Sequence, residues 1–290
     1  MSKPHIFIQT NTKQLIGALV SMHSLKRNSA HSDEFDVTIM QQRDYQVFQQ
    51  NESRDYLRHG RLHKWINQDL QSFTPLRFLP PELMSYNGRA LVLDPDVFAA
   101  GDVWELLNRD MQGKAILCRR SKVRGGAFAS SVMLLDCAKL KHWNLERELA
   151  EMFDLKRDYM DWIMLRLERP ETIGLFGQEW NDFDQLSPRT KLLHNTKRRT
   201  QPWKTGLPID YTPTEDASLM GRVMALRRNL FGQYGLLGHY WRHPDRKQEA
   251  FFFQLLRECV NQGSVTKEQI RSAMAANNIR HDALELIKER

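Results

Sequence analysis

Two aspartates and a histidine are the residues in this sequence whose types and spacing point most directly to chemistry. Asp94 and Asp96 flank Pro95 in the stretch LVLDPDV (91–97), and His194 opens HNTKRRTQPW (194–203). Carboxylate oxygens hold hard divalent cations, and imidazole suits Mn²⁺ as a third ligand beside them. An ion of that kind bridging a diphosphate would neutralise charge building on a leaving phosphate. Lys197, Arg198 and Arg199 add three cations able to grip phosphate oxygens. Each motif also has a plainer use. Asp-Pro-Asp serves equally well as a turn with one aspartate capping the next helix. A basic run is more often a solvated loop with a surface histidine.

The elements that must position these groups read as alternating strands and helices. HIFIQT (5–10) is short and β-favouring, and residues 12–27 carry Leu15, Leu19, Met22 and Leu25 on one helical stripe. FDVTIM (35–40) completes a βαβ opening, the mark of a parallel sheet. RALVL (89–93) is a nearly continuous apolar run suited to a central strand buried on both faces. Pro95 forbids an ordinary ladder position and marks that strand's exit, so both aspartates belong at its carboxyl edge. Open α/β sheets bind ligands there.

Helices are expected at 61–70, 102–109, 139–152 and 157–167, and strands at 114–119, 131–135 and 172–176. Beyond 208–213 the pattern becomes all helical, at 215–237, 245–260, 266–276 and 281–288. The expected organisation is therefore an α/β domain over residues 1–210 followed by a helical extension over 211–290.

The 290 residues are 41% hydrophobic and 27% charged, which excludes disorder as the main state and allows a sizeable core. Lys and Arg exceed Asp and Glu by 42 to 35, and the net charge of +7 favours anionic partners. Three widely spaced cysteines without a CxxC suggest neither a disulfide framework nor a zinc cage, and fit a reducing compartment. No segment resembles a signal peptide or a spanning helix, so a cytoplasmic location is expected. Serine-hydrolase elbows, Walker loops and dinucleotide-binding glycine patterns are missing.

Taken together and in order, these segments resemble the family-eight GT-A glycosyltransferases, of the glycogenin and lipopolysaccharide galactosyltransferase type. The resemblance spans about residues 5–206. IQTNTKQLIGALVSMHSL (8–25) is similar to that family's opening strand, Thr-Asn turn and Gly-Ala helix. LVLDPDVFAAGDVWELLN (91–108) is similar to its DxD segment, and HNTKRRTQPW to its His-to-Trp signature, with His194, Pro202 and Trp203 kept. The resemblance implies a GT-A-like fold: one Rossmann-type nucleotide-binding domain with a mixed central sheet. It implies that Asp94, Asp96 and His194 hold Mn²⁺ or Mg²⁺. Thr10, Asn11 and Gln14 would border the base and ribose, Asp94 would also lie near the ribose, and Trp203 would belong to the donor-binding segment. Arg77 and the Lys197, Arg198, Arg199 run would contact the diphosphate, and Asp161 would face the sugar.

The implied reaction is transfer of a hexose from a nucleoside diphosphate sugar, a UDP-sugar by family analogy, to an acceptor hydroxyl with retained configuration. The acceptor would be a glycan, a lipid-linked saccharide or a protein. Arg222, Arg227 and Arg228 in the helical extension would suit peripheral contact with the inner face of a membrane.

Departures from the family pattern motivate a rival. Ala129 and Ser131 replace its asparagine and glycine, and Trp162 replaces its glutamine. A noncatalytic GT-A-like protein that binds nucleic acid or an anionic glycan would explain them, although nucleic acid is not expected of the transferase. Trp65, Trp104 and Trp143 read as packing residues. His239, Trp241 and His243 read as a helix-joining turn without a complete ligand set. The loop RRSKVRGG (119–126) suits a lid.

Overall fold

The computed structural model describes residues 3–121, 128–211 and 238–288. Most of the RRSKVRGG loop, the expected helix at 215–237 and its Arg222, Arg227 and Arg228 lie outside the described residues. Two compact units are present: residues 1–67 with 72–194, and residues 68–71 with 195–290. The expected boundary at 210/211 falls within the second unit.

The first unit is built on strands β1 (His5–Thr10), β2 (Asp36–Gln41), β5 (Arg89–Leu93), β7 (Ile116–Arg120), β8 (Phe128–Asp136) and β9 (Ile173–Leu175), with β3 (Asp55–Arg58), β4 (Arg61–Lys64) and β6 (Val97–Ala99) outside that sheet. The six strands pair in the order β2-β1-β5-β8-β7-β9. β1 runs parallel to both β2 and β5, whereas β8 is antiparallel to β5 and β7, which makes the sheet mixed. Alternate residues enter two apolar cores. Ala90 and Val92 face one with Trp143 and Phe78, while Leu91 and Leu93 face the other with Ile6 and Ile8. Burial on both faces is what the unbroken run RALVL implies.

Helix α1 (Leu15–Arg27) follows β1 after a single 3-10 turn, Thr12–Gln14, capped by the Asn11 side chain. Its burial departs from the expected stripe: Leu15, Leu19 and Met22 are half-buried, whereas Ile16, Ala18, Val20 and Leu25 are buried. Polar groups explain part of the difference, because α1 is also fastened to β6. Ser21 Oγ donates to the Val97 carbonyl (2.6 Å), Ser24 Oγ accepts from the Ala99 N–H (2.8 Å), and Asn28 Nδ2 donates to the Ala99 carbonyl (2.8 Å). A Cβ at Gly17 would come within 2.7 Å of the Pro95 carbonyl oxygen, so glycine is what lets α1 approach the Asp-Pro-Asp turn.

The expected helix at 61–70 is instead a hairpin. β3 and β4 pair antiparallel about His59 and Gly60, both with positive φ (54° and 69°), the geometry of a two-residue hairpin turn. Tyr56 and Trp65 then meet edge-to-face (5.7 Å) and pack into the first core. Trp143 and Trp65 are buried and Trp104 partly so, as packing residues should be.

A second, three-stranded sheet places β6 beside β11 (Leu192–His194) and β11 beside β10 (Asp182–Phe183). The antiparallel register sets His194 opposite Val97, the residue after Asp96.

The second unit contains helices Arg246–Asn261, Lys267–Ala275 and Ala283–Leu286. The first is capped by Asp245 and the second by a Thr266–Gln269 capping box. Among the described residues, no helix is long and apolar enough to cross a membrane. Cys118, Cys137 and Cys259 are buried free thiols, the first two pushed up to about 12 by burial.

Candidate metal centre and nucleotide-binding edge

Asp94, Pro95 and Asp96 form a tight turn between β5 and β6, closed by the Val97 N–H donating to the Asp94 carbonyl (3.2 Å). β5 ends there because Pro95 cannot join the ladder. β11 returns antiparallel to β6 and ends at His194, so two pairs of strands carry three ligand groups to one point. One ligand atom from each of Asp94, Asp96 and His194 lies within 4.8 Å of the others. His194 Nε2 is 3.3 Å from Asp96 Oδ1.

Asp94 is the fixed pole of the cluster. Arg77 Nε donates to Oδ1 (2.9 Å), Arg77 Nη2 donates to Oδ2, and Gln9 Nε2 also donates to Oδ1. A carboxylate accepts roughly four hydrogen bonds, so three donors leave it room for a cation. Arg77 is braced in turn through Nη1 donating to Ser130 Oγ (2.8 Å). Burial pushes the Asp94 carboxyl above its ordinary range and Asp96 adds to that, against the pull of Arg77 and His194.

His194 is oriented from behind. Asn181 Nδ2 donates to Ser131 Oγ (3.1 Å), which turns the Asn181 amide oxygen to accept from His194 Nδ1 (2.9 Å). With Nδ1 carrying its hydrogen, Nε2 is the nitrogen offered toward Asp96. Burial opposes a charged ring, but Asp96, Asp94 and Asp184 outweigh it and hold His194 above the usual imidazole range. With the imidazole neutral, the form that ligates a metal, two carboxylates against one guanidinium leave a deficit of positive charge. Hard oxygens with one imidazole are the donor set of Mn²⁺ or Mg²⁺, so the residues present fit such an ion.

The other expected site residues are distributed as follows. Thr10 and Asn11 are buried at the carboxyl end of β1, adjacent in the sheet to β5, with Asn11 Nδ2 donating to Ser72 Oγ (3.2 Å). Gln14 is buried in the following turn. Asp161, in the helix Tyr159–Ile163, pairs with Arg166 (2.8 Å) and is outside the three-ligand group. Its neighbour Trp162 is buried and stacked on Phe78 (4.8 Å). Lys197, Arg198 and Arg199 belong to the second unit, where Arg199 stacks on Trp241 (3.9 Å) and Arg198 lies over Tyr211 (5.5 Å). Trp203 is buried in that unit and stacked on Phe252 (4.8 Å). His243 accepts from the Asp245 N–H (3.1 Å), a turn contact matching the plain reading of that segment.

Gln9, Asn181 and Ser130 were not singled out by the sequence. Gln9 had a signal in hindsight, as a polar residue in the apolar strand β1; Asn181 and Ser130 had none. Ser131, noted only as a departure from the family glycine, supplies the oxygen that fixes Asn181.

No family model and no curated protein matches this sequence. Among solved structures, the glycosyltransferase GlyE of Streptococcus pneumoniae TIGR4 is similar at a TM-score of 0.51 and 15% identity, over 91% of this chain and 64% of that one. The chain therefore spans under two thirds of GlyE's length. The galactosyltransferase LgtC, in a complex with donor and acceptor sugar analogs, is similar at 0.48 and 14% identity, over 69% of this chain and 89% of LgtC. The likeness to GlyE shows the fold: the chain has the GT-A glycosyltransferase fold, with a mixed central sheet and C-terminal helices.

Proposed function

We propose that this chain is a metal-dependent glycosyltransferase, related to family eight, that moves a hexose from a nucleoside diphosphate sugar to an acceptor hydroxyl. The single observation carrying this reading is the convergence of Asp94, Asp96 and His194 at the carboxyl edge of β5, in a fold shared with a glycosyltransferase. Asp94, Asp96 and His194 would hold Mn²⁺ or Mg²⁺. When bound, the ion supplies positive charge to a leaving diphosphate.

The chain's own residues do the rest by position. Arg77 and Gln9 hold the Asp94 carboxylate against rotation, and Asn181 fixes the imidazole. Preorganised charge of this kind costs no reorganisation at the moment of reaction. Thr10, Asn11 and Gln14, at the end of the neighbouring parallel strand, are proposed to border the base and ribose, as ligands of open α/β sheets do. Asp161 is proposed to lie beside the transferred sugar, on the motif match alone. UDP as the nucleotide, retention of configuration and a glycan, lipid-linked saccharide or protein acceptor follow from the same resemblance. No donor contact is proposed for Lys197, Arg198, Arg199 or Trp203, which belong to the second unit.

The noncatalytic rival gains less from the site than from the sequence. Ser131, one of the departures that motivate it, is recruited to orient Asn181 rather than left idle. The test is thermal-shift and calorimetric titration of UDP with and without Mn²⁺, followed by hydrolysis or transfer from a UDP-hexose panel. Metal-dependent UDP binding with turnover of one donor is the expected result. Absence of turnover with every donor, together with salt-sensitive RNA or DNA binding, would move the reading to the rival.

A further inference from the structure

A second candidate site lies one aromatic ring away from His194. An open cleft of about 410 Å³ is lined by Arg119, Arg120, Gln178, Asp182, Phe183 and Gln185, among others. That volume lies in the range of small-ligand sites. It is formed where β7 outruns its partner: the β7–β9 ladder stops at Cys118 and Leu175, and the next two residues of β7 are both arginines. β10 supplies the opposite side, with Phe183 in register with His194 and their rings edge-to-face at 5.6 Å.

The chemistry of the lining is selective. Arg119 is almost wholly buried, its guanidinium stacked on the Phe183 ring at 4.1 Å and donating through Nη1 to the Asn181 carbonyl. That contact ties the cleft to the residue that orients His194. Arg120 is exposed, over Phe128 at 5.8 Å. Two arginines against one carboxylate, Asp182, which also accepts from Thr190 Oγ1 (2.8 Å), give the lining an excess of positive charge. Burial disfavours the charged form of Arg119, with Asp182 only partly compensating, and an incoming anion would relieve that cost. Guanidinium groups pair with planar oxyanions in two-pronged fashion, while the Gln178 and Gln185 amides suit hydroxyl groups.

We propose that this cleft is the acceptor subsite and that it selects a saccharide bearing an oxyanion, carboxylate or phosphate, held by Arg119 and Arg120. The inference rests on the transferase reading for the word acceptor, but not for anion recognition itself. The tests use the full chain and matched small probes: methyl β-glucuronide against methyl β-glucoside, and glucose 6-phosphate against glucose, titrated by NMR without metal or UDP. About tenfold tighter binding of a charged probe than its neutral match is expected, the size of one charge-assisted contact. The stronger charged probe identifies the oxyanion. Arg120→Gln, at an exposed position, should cut the preference to under about twofold, and Arg119→Lys should weaken it while Asp96→Ala leaves it intact. Equal binding of charged and neutral probes, a preference that survives Arg120→Gln, or displacement of the charged probe by UDP would each overturn the proposal. UDP binding with Mn²⁺, measured on the same samples, separates the two readings. Its loss in the unaltered chain sinks the transferase while a standing charge preference keeps the anion site.

Discussion

At the Asp94–Asp96 turn and along the helix Leu145–Phe153, the first unit buries carboxylates beside an arginine, with opposite outcomes. Arg77 grips Asp94 with two nitrogens, yet a second carboxylate, Asp96, shares the point with His194, so with the imidazole neutral one negative charge remains in excess. On the helix, Arg157 pairs tightly with Glu151 (2.6 Å) and approaches Glu148 at 3.5 Å. Glu148 is 3% exposed, and among the described residues its Oε2 has no hydrogen-bond partner. Burial pushes its carboxyl up to about 8, so it solves the charge problem by keeping its proton. Asp158 offers a third solution: burial raises its carboxyl, but the backbone N–H groups of Gly60, Met160 and Asp161 outweigh it and hold it below the usual range. What sets the turn apart is a second carboxylate and an imidazole sharing one point with the buried acid. Asp96 comes from the same turn, and the pairing of β11 with β6 brings His194 to it.

Substitutions can break this contrast, and Asp96→Ala should do so most severely. Metal-dependent UDP binding should vanish by calorimetry and turnover fall by about 10³-fold or more, since several kcal/mol of charge stabilisation are removed. Retained Mn²⁺ dependence would move the ion elsewhere. Next, Asn181→Leu should lower Mn²⁺ affinity by about 10- to 100-fold while the folded chain persists by circular dichroism, the usual cost of losing a group that orients a ligand. Unchanged affinity would mean that β11 alone aims His194.

Glu148→Gln probes the opposite region. A carboxyl raised from 4.5 to about 8 in the folded state binds its proton more tightly there than in the unfolded chain. Its contribution is full below about pH 4.5 and is lost as pH rises through about 8, with a slope up to about 1.4 kcal/mol per pH unit. Denaturant titrations from pH 5 to 8 should show that decline in the unaltered chain and a flatter profile in Glu148→Gln. A profile indifferent to the substitution would mean that Arg157 keeps Glu148 ionised. Asp158→Ala should have the smallest effect, about 1 kcal/mol for a lost helix cap, read as a lower denaturation midpoint with Mn²⁺ affinity unchanged. Weaker Mn²⁺ binding in that variant would couple the cap to the metal centre.

Much of the scaffold was legible because its signals are local. β1 and β5 fall where the apolar runs place them, and Pro95 ends β5 as its missing N–H requires. The β3–β4 hairpin was missed because Arg-Leu-His-Lys carries too short a pattern to distinguish strand from helix, and its pairing depends on left-handed His59 as well as Gly60. The helices Arg246–Asn261 and Lys267–Ala275 were legible from their helical pattern, and the structure adds their caps, Asp245 and Thr266.

The sequence by itself determined the inventory: a βαβ opening, an aspartate pair at a strand exit and a histidine about a hundred positions later. Only the tertiary structure decided which residues meet. Register between β6 and β11 brings His194 beside Asp96, and neither strand's composition encodes its partner. Gln9, Asn181 and Ser130 acquire their roles the same way. Hydrogen-bond partners far apart along the chain are chosen by strand pairing and packing, whereas the elements that carry them are chosen by local backbone preference and apolar period.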